Sequence, residues 1–205
     1  AMVGYRRSLL SDRRVLFSGY RPVDLARKVV GVGSVGTRCW VILLMADQDE
    51  SDVLMLQVKQ AEASVLEAHL GRSRTAHHGQ RVVEGQRVMQ AATDILLGWT
   101  QIELGGQHAD FYVRQMWDWK ESADIDTMDD VAMEIYAQMC GWTLARAHCR
   151  SGDRVALAGY LGSSDTLDTL LTDYAEQYAD QSSKDFAALQ EAASAGRITV
   201  APQGW

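Results

Sequence analysis

Gly31, Gly33 and Gly36 stand in G-x-G-x-x-G spacing, with Ser34 inside the run, and Lys59 closes an apolar stretch further along the chain. Glycines lack a Cβ, so a backbone rich in them can turn tightly and approach a phosphate, while a lysine ammonium is a point charge for phosphate oxygens. Phosphate binding is the chemistry that this set would serve. Glu84 is a further candidate: it shares a helix face with Val88 and Ala91 and would supply the carboxylate that holds such a lysine in place. Glu62 and Glu67 compete for that role. The bare glycine pattern also suits an ordinary hairpin turn, with Lys59 as a solvated strand end and Glu84 as one more surface carboxylate.

The elements around these residues narrow the choice. Val29 and Val30 lead in as a strand, and residues 37–44 lead out as a β-branched and aromatic run that predicts a second strand. A dinucleotide-binding loop must instead run into a helix, whose N-terminal amides hold the pyrophosphate. The strand after Gly36 therefore disfavours a dinucleotide oxidoreductase. Strand, glycine loop, strand, polar turn at 47–52 and a third strand ending in lysine is the order of the phosphate-covering hairpin of protein kinases. Residues 38–45 are expected to pair antiparallel with 53–59.

The chain has 205 residues, 47% apolar and 23% charged, which is enough to bury a core as one domain or two small ones. No apolar run approaches the roughly 18 residues of a membrane span and no signal peptide is visible, so the expectation is a cytoplasmic chain without a membrane span. Cys39, Cys140 and Cys149 show none of the short pairings of zinc sites and are expected to be reduced and mostly buried. His77, His78 and Gly79 read as polar loop. The net charge of −7 argues against nucleic acid as a partner, yet residues 1–38 carry eight Arg or Lys against two Asp, a local +6. A basic arm facing phosphate, membrane or an acidic partner and a solvated helix face both fit that excess.

In chain order, Tyr5, Leu9, Leu10, Val15 and Leu16 recur near helical spacing, predicting an amphipathic helix to about Phe17, broken by residues 19–22. The first strand follows over 24–30. After Lys59 come a short helix within 62–71, polar loop at 73–79 and a helix over 80–92, where Gly85 costs about 1 kcal/mol relative to alanine. Strands at 95–102 and 110–116 complete a set of five, with one helix inserted after the third. Residues 117–122 would be a hinge. Thr127 and Asp130 form a capping-box pattern before a long helix over 131–150 that buries Val131, Ile135, Trp142 and Ala145. Further helices are expected at 154–160, 166–179 and 184–195, with Asp165 and Ser183 as caps and Gly196 as a stop, then a short strand or tail.

Several long stretches, in order, resemble a bacterial family known as domain of unknown function 2252: ARKVVGVGSVGTRCW (26–40), LQVKQAEASVLE (56–67), GQRVVEGQRVMQAATDILLGW (79–99), FYVRQMWDWKESAD (111–124), CGWTLARAHCRSGD (140–153) and GYLGSSD (159–165). The family is similar to the protein-kinase-like and aminoglycoside-phosphotransferase-like group. The resemblance implies that this chain is the C-terminal half of a longer protein. Upstream would lie a GDAHLxNFG segment, similar to a catalytic loop, and an FDxNDFD segment, similar to a metal-binding loop. Neither occurs here, and that order would be permuted relative to kinases. His148-Cys149-Arg150 has arginine where H-R-D needs aspartate, and Asp185-Phe186-Ala187 mimics D-F-G inside an expected helix.

The fold class expected is α+β and kinase-like: a five-stranded antiparallel sheet with one packed helix, followed by a mostly helical lobe. Residues 1–22 would be a basic helix or arm, 23–122 the N-lobe and 123–205 an incomplete helical lobe. By resemblance the implied cofactors are ATP and Mg, with Gly31, Gly33, Ser34 and Gly36 over the phosphates, Lys59 on them and Glu84 positioning Lys59. The implied partners are a nucleotide and the missing N-terminal half. The isolated chain would be inactive as a phosphotransferase. The alternative is a noncatalytic kinase-like module that binds or regulates a partner.

Overall fold

The computed structural model describes residues 1–29, 31, 36–116 and 122–200, which divide into two compact units, Ala1–Gly152 and Asp153–Trp205. The first is built on five strands: β1 (Tyr20–Arg27), β2 (Cys39–Ala46), β3 (Val53–Ala61), β4 (Gly98–Leu104) and β5 (Gln107–Gln115). They form one antiparallel sheet in the order β1-β2-β3-β5-β4. The expected pairing of the second and third strands is present, with Cys39 opposite Lys59 and Met45 opposite Val53.

β1 begins earlier than expected. Tyr20, Arg21 and Pro22 pair with Ala46, Met45 and Leu44, and the register shifts between Pro22 and Asp24. Proline lacks a ladder donor, but on an edge strand beside a bulge it is tolerated, so Pro22 interrupts the pairing without ending the strand. β4 and β5 also run closer together than the sequence suggests. Gly105 and Gly106 have φ of 60° and 79°, the two positive values that a two-residue hairpin turn of the I′ type requires.

Strand alternation sorts the sheet into two faces. Trp40, Ile42, Leu44, Leu54, Leu56, Val58, Phe111 and Val113 line one face. The N-terminal segment covers it as two helices, α1 (Met2–Ser8) and α2 (Ser11–Phe17), with the break at Leu9 and Leu10. Tyr5, Leu9 and Phe17 join the core, so the expected arm is part of the globule. Close approach of α1 to β4 depends on glycine: a Cβ on Gly98 would lie 2.5 Å from Ser8 Oγ. Tyr5 donates its hydroxyl to the Leu96 carbonyl (2.6 Å), and the Trp99 amide donates to Ser8 Oγ (2.8 Å).

α3 (Glu67–Leu70) is one short turn, and α4 (His78–Met89) packs on the opposite face of the sheet, against β3, β4 and β5. His78 and Gly79, read as polar loop, are therefore helical, and His77 is the residue just before the helix. His77 caps α4, its Nδ1 accepting from the Gln80 amide, and His78 begins the helix. Gly79 meets the sheet directly, since a Cβ there would lie 2.2 Å from the Phe111 carbonyl oxygen.

α5 (Asp130–Ser151) starts from a different cap than expected. Asp129 accepts from the Ala132 amide at 2.8 Å, whereas Thr127 lies in a preceding 3-10 turn and bonds the Asp124 carbonyl. Val131, Ile135, Trp142 and Ala145, expected to be buried, are exposed. In the second unit α6 (Arg154–Leu161) is capped by Asp153, and α7 (Thr166–Ser194) is one continuous helix. Ser183 does not start a new helix: its hydroxyl bonds back to the Ala179 carbonyl and leaves the backbone helical. Gly196, with φ of 69°, follows the end of α7 as expected. Cys39 is buried, while Cys140 and Cys149 are exposed, against the expectation of mostly buried thiols.

Candidate functional site

The connection between β1 and β2 carries the glycine run. Arg27 pairs with Trp40 and the Lys28 amide donates to the Cys39 carbonyl (2.9 Å), so the two strands that flank the run are paired as far as Lys28 and Cys39. Gly36 has φ of 85°, a left-handed value that favours glycine. Built Cβ atoms on Gly31 or Gly36 would meet nothing within 4 Å. Gly33 and Ser34 lie outside the described residues, as do residues 117–121 of the expected hinge. β2 begins at Cys39, and no helix lies between Gly36 and that strand.

Lys59 is half-buried on β3. Across the sheet it stands in one row with Cys39, Tyr112 and Trp99. This row is on the face that α4 covers, because the Arg87 guanidinium of α4 lies over the Trp99 ring at 5.8 Å. The same face is unusually polar for a sheet interior: Gln57, 3% exposed, accepts from Arg114 Nε at 3.2 Å and Nη2 at 3.1 Å. Burial pushes the Tyr112 phenol up, with Arg114 opposing the shift and Cys39 adding to it.

Glu84 projects from the middle of α4, but its carboxylate is engaged locally. One oxygen accepts from Thr75 Oγ1 (3.0 Å) and the other from Gln80 Nε2 (2.6 Å). Among the described residues no ion pair joins Lys59 to Glu84. Neither helical arginine takes Glu84 as its partner: Arg81 Nη2 donates to the Glu62 carbonyl and Arg87 Nη2 to the Leu97 carbonyl. Of the rival carboxylates, Glu62 accepts from Gln60 on an exposed segment. Glu67 lines a concavity of about 400 Å³ with Arg72, Ser73, Thr75 and His78.

Asp110 is the residue that sequence reasoning missed. Its carboxylate accepts from the His78 amide (2.8 Å) and from Gln101 Nε2 (2.9 Å), and His77 Nε2 sits 3.5 Å from it. It thereby fixes the start of α4 to β5 and, through α4, the height at which Glu84 stands. A lone aspartate in a strand carries no sequence signal for that role. Asp94 acts similarly at the other end, accepting from the amides of Leu96 and Gln115. A polar cavity of about 390 Å³ opens beside Asp110, lined in part by Arg38, Gln60, Glu62, His78 and His108. An apolar cavity of about 570 Å³, lined by Leu25, Trp40, Ile42, Val58 and Leu104, lies on the sheet face away from Lys59. No three His, Cys, Asp or Glu side chains converge as a metal site among the described residues.

Residues 1–192 match the family described as an uncharacterized protein conserved in bacteria, DUF2252. The chain belongs to this family. No curated protein and no solved structure matches it. No helix among the described residues is long and apolar enough to cross a membrane.

Proposed function

We propose that this DUF2252 chain is the nucleotide-binding half of a kinase-like phosphotransferase, taking ATP with Mg. One observation carries the reading: a glycine-bearing connection between paired antiparallel strands is followed by a third strand whose Lys59 faces the side of the sheet where α4, bearing Glu84, is packed. In this reading the backbone of Gly31, Gly33, Ser34 and Gly36 lies over the phosphates and the Lys59 ammonium attracts their oxygens. The described residues offer no convergent carboxylate set for the metal. Catalytic and metal-binding carboxylates would come from the upstream half that the resemblance implies, and the present chain would bind nucleotide without turning it over.

A noncatalytic kinase-like module is the second reading, favoured by the engagement of both Glu84 oxygens with Thr75 and Gln80. Thermal unfolding with increasing ATP, with and without Mg, separates the two, because a ligand bound only by the native state stabilises it by RT ln(1 + [L]/Kd). The expected result is an ATP-dependent rise in Tm that Lys59→Met abolishes. A Tm indifferent to nucleotide supports the noncatalytic module. Asp-dependent ATP turnover by the chain alone would show that it contains a catalytic carboxylate after all.

A further inference from the structure

Arg6 and Arg7 of α1 and Arg14 of α2 converge on one concavity of about 450 Å³, lined also by Val3, Val15 and Ser18. Among the described residues none of these three guanidiniums enters an ion pair, whereas nearby Arg13 is paired with Asp12 at 3.3 Å. All three sit in the last turn of their helices, where the helix dipole favours a cation. The dipole does not account for the apolar side chains beside them: Val3 is 67% and Val15 73% exposed. The platform beneath is rigid, because Tyr5, Leu9 and Phe17 on the inner side of the same helices are core residues.

Basic side chains interleaved with exposed apolar ones, on short helices lying flat on a globule, suit a surface that is anionic at its headgroups and apolar just beneath them. We propose that this face docks onto an anionic membrane surface, the three arginines receiving lipid phosphates while Val3 and Val15 enter the headgroup boundary. A soluble phosphate compound or a nucleic-acid backbone would use the arginines but has no use for the two valines. Residues 1–17 carry four Arg against one Asp, a local +3 in a chain of net charge −7, which directs this face toward the polyanion. The contact is peripheral and independent of nucleotide binding at Lys59.

The test is cosedimentation of the chain with vesicles of phosphatidylcholine alone or mixed with phosphatidylglycerol, at rising salt, with glycerol phosphate and a DNA duplex as soluble competitors. Wild type is expected to bind only the mixed vesicles, and less as salt screens the charges. Each arginine near such a surface is worth about fivefold in partitioning, so Arg6→Gln, Arg7→Gln and Arg14→Gln together should cost roughly a hundredfold. The charge-matched triple Arg72→Gln, Arg74→Gln and Arg150→Gln should cost little. Val3→Ser with Val15→Ser keeps every charge and should also weaken binding, which guards against a folding defect in the arginine variant. Absent binding, equal binding to phosphatidylcholine, wild-type binding by the arginine or the valine variant, or full displacement by either soluble competitor would each overturn the proposal.

Discussion

Lys59 and Glu84 lie on facing elements, yet the bonds to Thr75 and Gln80 hold the Glu84 carboxylate on its own side of the structure. If the pair acts on nucleotide, removing both residues must differ from the sum of removing each. We expect Lys59→Met to weaken ATP binding, Lys28→Met to do little, and the Lys59→Met/Glu84→Gln cycle to show a coupling above about 0.5 kcal/mol by titration calorimetry. Strictly additive, near-zero effects would remove the site. A second residue-level expectation concerns Tyr5, whose phenol is pushed up, first by burial and then by the Asp94 charge. A phenol raised in the folded state contributes stability that is complete below its unfolded value of about 10 and is lost as pH rises above it. Urea midpoints should therefore fall above about pH 10, and Tyr5→Phe should flatten that slope, leaving the parts due to Tyr112 and to Tyr20, whose phenol is raised by its bond to Asp52. At neutral pH the same variant should cost about 1 kcal/mol for the lost bond to the Leu96 carbonyl.

At the scale of elements, α4 sets the site, and its two glycines have opposite meanings. At Gly79 a Cβ would run into the Phe111 backbone, which cannot step aside, whereas at Gly85 it would meet nothing within 4 Å. Gly79→Ala is expected to destabilise by about 1–3 kcal/mol, and Gly85→Ala to stabilise by up to about 1 kcal/mol. Equal urea midpoints for the two variants would refute this packing of α4. The helix was legible in the sequence because its apolar spacing is regular, but its start was not, because His77 is an uncommon cap and the anchor Asp110 lies in a distant strand. β2 and β3 were legible from their β-branched content. β1 was misplaced because Pro22 reads as a breaker unless its edge position is known. α7 read as two helices because Ser183 resembles a cap, whereas it bonds backwards along the helix. Periodicity in α5 located the helix but not its surroundings: an apolar stripe says what a helix can bury, and Val131 and Trp142 remain 67% and 62% exposed.

For the whole molecule the division at Gly152 separates chain with a core from chain without one. Every buried residue described belongs to the first unit, where five strands and the helices on both faces enclose Leu44, Leu56 and Phe111 completely. α6 and α7 of the second unit have no buried residue, and Leu170, Leu171, Tyr174, Tyr178, Phe186 and Leu189 are all more than half exposed. A helix without tertiary packing gains only its own backbone bonds, and its helicity depends on length and temperature. A fragment of residues 1–152 is thus expected to unfold in one cooperative transition, with Tm independent of concentration. A fragment of residues 153–205 should lose helicity gradually on heating, without a transition. Circular dichroism melts of the two fragments decide it: a sharp, concentration-independent transition in the shorter one would mean that α6 and α7 make a core of their own. A gradual melt of residues 1–152 would mean that the sheet needs the second unit. The cooperative outcome would place the whole candidate site, from Gly31 to Glu84, on a scaffold that stands without the C-terminal helices.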